Sequence, residues 1–274
     1  MILGPTMTPF FLVILRTLVP LIYLTVSAGF IVNSVKKRPS VPARLFYPLI
    51  FAIGCHALLI ALLLLKHGGF PLKTSFEGLA FSALVFMSAS TILVFMQKEV
   101  NFAAFLFPVG SIIALISLAF LDKGVTLPPA LCIQPYAAHT WIVFGAYTCF
   151  LLSAVSSVMY LVQHHEIKGR SLGALYDRLP SLEIMDRVVL RADAIGAALM
   201  IIGIVMGFLW LNSPGFKPSN VHAKIALSLL AAVTYVCEHI LRMGQGWEGK
   251  RACIVSIVGF ALIMATLLAG HHGF

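Results

Sequence analysis

The 274-residue chain is 60% hydrophobic and only 11% charged, with a mean hydropathy of +0.98, which excludes an ordinary soluble domain. Its net charge of +9 comes from basic residues in short loops between apolar runs, where they set membrane orientation, so no nucleic-acid partner is expected. Its five cysteines form no CxxC pair, no CxxCH and no zinc spacing, which excludes a disulfide framework and covalent haem attachment.

Eight apolar runs follow in order, at about 10–32, 46–65, 76–96, 101–121, 137–163, 193–212, 222–242 and 252–270. The opening MILGPTMTPFF has no basic n-region and no convincing cleavage site, so the first run is expected to remain as a helix. Arg16, inside that run, has no evident partner in sequence and is expected to snorkel toward the headgroups. QKEVN, between the third and fourth runs, fits a tight helical hairpin. The intervals GGFP, PP and SPGFKP at 68–71, 128–129 and 213–218 read as turns. The longest loop, 164–192, contains RLPSLEIMDRVVLR, where Leu179, Leu182, Met185, Val188 and Val189 recur at helical spacing. A short helix lying on the inner membrane surface is expected there, serving as a connector or as a dock for a protein partner. Gly203 and Gly207 make a GxxxG, a signature of close helix packing. The cysteines at 55, 149, 237 and 253 fall in or beside apolar runs and read as buried packing residues.

Counted on alternate sides, thirteen Lys and Arg residues lie in one set of loops and five in the other. The positive-inside rule makes the first set cytoplasmic and puts both termini outside. The expected fold class is all-α: a polytopic membrane helix bundle of about eight transmembrane helices, forming one membrane domain over 1–274.

Nine histidines sort into levels under this topology. His139, His222, His271 and His272 fall at the outer face, His56 lies within the second span, and His239 lies toward the inner end of the seventh. Ionisable groups within a span are functional candidates, because burial is costly unless something uses or pairs them. Neutral imidazole is a common axial ligand of haem iron. Taken alone, each span histidine also fits a helix–helix hydrogen bond, His271 and His272 fit a solvated tail, and His164 and His165 fit an interfacial polar pair. Glu238 beside His239 suggests a proton relay, although neighbours on a helix point about 100° apart. No GxSxG, HExxH, P-loop or dinucleotide turn is present, so no enzymatic activity is expected. A proton-coupled transporter of a small solute, or a haem-free regulatory membrane protein, are the alternatives to haem binding.

Four stretches, FPLKTSFEGLAFSALV (70–85), HTWIVFGAYTCFLLSAVSSVMYLVQ (139–163), RLPSLEIMDRVVLRADAIGAALMIIGIVMGFLW (178–210) and HILRMGQGWEGKRACIVSIVGFALIMATLLAGHH (239–272), resemble the cytochrome c assembly family in order and spacing. That family includes CcsA (ResC), CcmC and small HemX-like members. The resemblance implies a multi-pass protein of a bacterial-type cytoplasmic membrane that binds haem b non-covalently. It implies His56 and His239 as intramembrane axial ligands near the cytoplasmic side, and His139 with His271 or His272 as the outer pair. It also implies a family acidic position at Glu77 and a partner in cytochrome c assembly or tetrapyrrole synthesis. Between spans six and seven, however, the chain has LWLNSPGFKPSNVHAKI where CcsA and CcmC carry a Trp-rich segment that presents haem. The departure implies a HemX-like role in haem binding, transport or regulation of haem synthesis. Depth along the helices leaves open whether one iron is shared: His56 lies about 12 Å into its span, and His239 about 5 Å from Arg242.

Overall fold

The structure is a computed structural model describing residues 7–36, 43–67, 75–120, 134–169, 173, 176–211 and 221–269. Among them are eight helices long and apolar enough to cross a membrane, and no strand. They are α1 (Met7–Val35), α2 (Phe46–His67), α3 (Ser75–Gln97), α4 (Asn101–Leu118), α5 (Gln134–Lys168), α6 (Leu182–Leu211), α7 (Val221–Gln245) and α8 (Lys250–Ala269). The protein is a polytopic membrane helix bundle. Its outward surfaces are apolar, with Leu65 79% and Leu209 72% exposed, as a lipid-facing surface requires. The helices fall into two compact units, Met1–Pro128 and Pro129–Phe274.

In the first unit α1 lies against α2 and α4, and α3 packs on α4. Phe30 meets Phe46 and Phe107 edge-on, with ring centroids 5.2 and 5.0 Å apart. Lipid tails are as apolar as leucine, so helix association draws on close packing and hydrogen bonds rather than on hydrophobic burial. Ser111 donates to the Phe107 carbonyl at 2.8 Å, which leaves Ser27 as the donor in its 2.8 Å bond to Ser111 across α1 and α4. The expected hairpin between α3 and α4 is present. Lys98 takes the left-handed conformation, φ 54, which stops α3, and the chain re-enters a helix at Asn101.

In the second unit α5 packs along α6 and α8, and α7 against α6 and α8. Phe150 of α5 stacks on Tyr235 of α7, with ring centroids 3.9 Å apart and planes 13° from parallel. Two glycines make room for the stack. A Cβ at Gly196 would lie 2.6 Å from Phe150, and one at Gly259 would lie 2.7 Å from Tyr235.

Two expectations change. The segment 178–191 does not form a separate surface helix, because α6 runs unbroken from Leu182 to Leu211. Met185, Val188 and Val189 are buried, so the apolar face that suggested a membrane-surface helix packs inside the protein instead. Of the four cysteines, only Cys253 is buried; Cys55 and Cys149 are half-buried and Cys237 is exposed.

Candidate functional site

In the first unit, His56 stands ten residues into α2 and is buried, 2% exposed. Its Nδ1 shares a 3.2 Å hydrogen bond with the Tyr23 hydroxyl of α1. When Nδ1–H donates to Tyr23, Nε2 keeps its lone pair and the ring is in the tautomer a metal ligand needs. Beside it is a cavity of about 10 Å³ bounded by Arg16, Pro20, Phe76 and Ser117. That space is room for a water at most, so the partner of His56 fits ligation while its surroundings do not fit a porphyrin. Arg16 does not stand alone, contrary to expectation. Its guanidinium lies 4.8 Å from the Phe76 ring centroid and interacts electrostatically with Glu77, which is buried in the first turn of α3.

In the second unit, His139 near the start of α5 donates Nδ1–H to the Gly203 carbonyl of α6 at 2.8 Å. A carbonyl only accepts, so the proton is on Nδ1 and the Nε2 lone pair is free. A backbone carbonyl on the far nitrogen is a common arrangement for metal-bound histidine. The ring lies over Gly207, where a Cβ would come within 3.2 Å of its Cε1. The GxxxG is therefore the seat of a candidate ligand as well as a packing motif. His139 is half-buried, and its donor set fits an axial ligand.

The other end of this unit holds a charged network. Arg242 of α7 donates to Glu238 at 2.8 Å and to Asp186 of α6 at 3.1 Å; the Arg242 and Glu238 side chains are 4% and 1% exposed. The Gly249 N–H also donates to Asp186, at 3.1 Å, tying the start of α8 to α6. Deeper in the unit, Ser256 donates to Asp193 at 2.8 Å, Ser153 lies 2.6 Å from Ser256, and Tyr235 donates to the Ser256 carbonyl at 3.1 Å. Asp193 and Glu238 face each other within hydrogen-bonding reach. Neither Asp193 Oδ1 nor Glu238 Oε2 has a donor among the described residues.

His239 is half-buried on α7, next to this network. The structure separates it from its sequence neighbour. Glu238 turns inward to Arg242 and Asp193, as the 100° offset between adjacent helical residues allows. His139 and His239 are also far apart. His139 contacts α6 at Gly203, whereas Arg242, one turn from His239, contacts α6 at Asp186. Those seventeen residues of helix correspond to about 25 Å, so within this unit the two histidines belong to different sites. His222 is exposed at the start of α7. His271, His272 and the 212–220 segment, where the Trp-rich stretch is absent, lie outside the described residues.

Sequence reasoning missed Asp193, Arg242, Tyr23 and the serines. The sixth apolar run was begun at Asp193, which made that acid look terminal; with α6 starting at Leu182 it stands eleven residues into a helix. A signal for the network did exist, because Tyr235, Glu238 and Arg242 are spaced i, i+3, i+7 and share one face of α7.

At the Asp186 end of this unit, a cleft of about 690 Å³ opens between the first turn of α6, the end of α5 and the α7–α8 turn. Gly246 and Gly249 shape that turn with φ 63 and 62, values that cost an L-residue with a side chain roughly 1–2 kcal/mol.

Residues 45–270 match the family described as Cytochrome C assembly protein. Among curated relatives, a cytochrome c biogenesis protein CcsA of Mesostigma viride is 24% identical over 237 residues, covering 77% of each chain. Protein HemX of Brevibacillus brevis is 27% identical over 209 residues, covering 76% of this chain and 75% of that one. A CcsA of Synechococcus is 24% identical over 223 residues, covering 72% and 73%. With the match spanning seven of the eight helices, this chain belongs to the cytochrome c assembly protein family.

Proposed function

We propose that the protein binds haem b non-covalently in a bacterial-type cytoplasmic membrane. It handles that haem for cytochrome c biogenesis or, in the manner of HemX, for haem transport or control of haem synthesis. The observation that carries this reading is His139, held in one tautomer by the Gly203 carbonyl with Nε2 free, in a chain of this family. The iron that haem brings is the cargo's chemistry, and the protein performs no covalent step of its own. Its residues bind, orient and insulate. His139, with His271 or His272, forms the outer ligand set, and His239 belongs to a second, inner one; the space beside His56 is too small for a porphyrin. The resemblance supports both assignments, and the 25 Å along α6 between the contacts of His139 and of Arg242, one turn from His239, supports two sites.

The test is the absorption spectrum of detergent-solubilised protein from haem-replete cells. A Soret band and a pyridine haemochrome without covalent attachment are expected, with partial loss in His139→Ala and in His239→Ala and near-complete loss when both are combined. Protein with no bound chromophore would overturn the reading.

A further inference from the structure

We infer that His56 is not an iron ligand in this chain but the centre of a hydrogen-bonded junction that closes over one water molecule between α1, α2 and α4. The resemblance implies an axial ligand at this position, and the groups around it do not fit one. The junction rests on its own geometry; only the comparison with iron ligation rests on the haem reading above. The direction of one bond decides the tautomer. Tyr23 is 0% exposed, and its hydroxyl lies 3.2 Å from His56 Nδ1. If Nδ1–H donated to Tyr23, the phenol's own proton would have no acceptor among the described residues. If Tyr23 donates to Nδ1, both groups are satisfied. That direction puts the ring proton on Nε2, where it occupies the position a metal would take.

Nε2–H then needs an acceptor, and the His56 ring borders a cavity of about 10 Å³, the size of one water. The other polar groups of its wall match a water. Arg16 borders the cavity, and its Nε–H is buried with no hydrogen-bond partner among the described residues. Pro20, also in the wall, has no N–H, so the helical bond to the Arg16 carbonyl cannot form. Ser117 gives its proton to the Ala114 carbonyl at 2.7 Å and keeps its lone pairs. The water accepts from His56 Nε2–H and Arg16 Nε–H, and donates to the Arg16 carbonyl and Ser117 Oγ, which is a full set of partners for a buried water. The Arg16 charge is met by Glu77 and by the face of Phe76, so the molecule in the cavity carries none. Its volume excludes a porphyrin, and two N–H donors on its wall exclude a bare cation.

The experiment is nitrogen NMR on the full-length protein in lipid bilayers with isotope-labelled histidine, the His56 signals being those that His56→Gln removes. Nδ1 should be bare and Nε2 protonated, and magnetisation should pass from water to the Nε2 proton. In Tyr23→Phe the Nδ1 signal should move, because its donor is gone, while Nε2 stays protonated. A proton on Nδ1 with Nε2 bare overturns the proposal, and so does an Nε2 proton that receives nothing from water. If His56→Gln fails to fold, Tyr23→Phe identifies the signal by the shift it causes. In protein that carries haem, His56→Gln should keep the parent's haem per chain, whereas His239→Ala should lose about half of it. Equal loss in the two variants would make His56 a ligand and end the proposal. A haem-free parent would sink the haem reading alone, because the NMR result decides the junction without it.

Discussion

His139 owes its usefulness to a group that cannot titrate. The Gly203 carbonyl accepts at 2.8 Å, so the tautomer is set by backbone, and the ring can approach that backbone only because Gly207 carries no side chain. This gives a test at the scale of one residue. A Cβ at Gly207 would lie 3.2 Å from the ring, which a small shift absorbs, whereas a leucine must push the ring aside. Gly207→Ala should retain most of the haem, and Gly207→Leu should lose about as much as His139→Ala while the helix content by circular dichroism stays unchanged. Undiminished haem in Gly207→Leu would show that the seat is not used. The residue types of this site were legible in the sequence: both the histidine and the GxxxG were visible. Their meeting was not, because sixty-four residues separate His139 from Gly203 and nothing local links them.

At the scale of the helix, α7 places one cation where it bridges two acids. Arg242 reaches Glu238 on its own helix and Asp186 on α6, and its side chain is 4% exposed. Removing one member of a buried ion pair strands the other charge, which costs about 3–5 kcal/mol. Arg242→Met should therefore lower the stability of the detergent-solubilised protein by that order in denaturant unfolding. Adding Glu238→Gln should recover part of the loss, because it removes one of the stranded charges. If the double variant is no more stable than Arg242→Met, Glu238 carries no stranded charge once Arg242 is gone. The same helices show where local pattern stops being informative. The spacing of Met185, Val188 and Val189 is helical, but period alone does not say whether an apolar face meets lipid headgroups or another helix. The long α6 and the depth of Asp193 both followed from the second answer.

At the scale of the molecule, the eight spans were legible because a bilayer demands about twenty apolar residues per helix, and breaker residues and charges separate the runs clearly. The division into two compact units left no local mark, since it depends on which helices pair. Orientation is a different kind of inference, resting only on the asymmetry of thirteen basic loop residues against five. It decides which compartment the cleft at the α7–α8 turn faces. The prediction is that alkaline phosphatase fused after Phe274 is active and a green fluorescent protein fused there is dark. Fusions after Lys98, between α3 and α4, and after Gly249, between α7 and α8, should show the reverse. With an even number of spans both termini share a side, so a fluorescent C-terminal fusion with active phosphatase at 98 and 249 would invert the whole bundle. The cleft would then open outside. A mixed result, with the fusions at 98 and 249 on opposite sides, would instead mean that one of the helices between them does not cross.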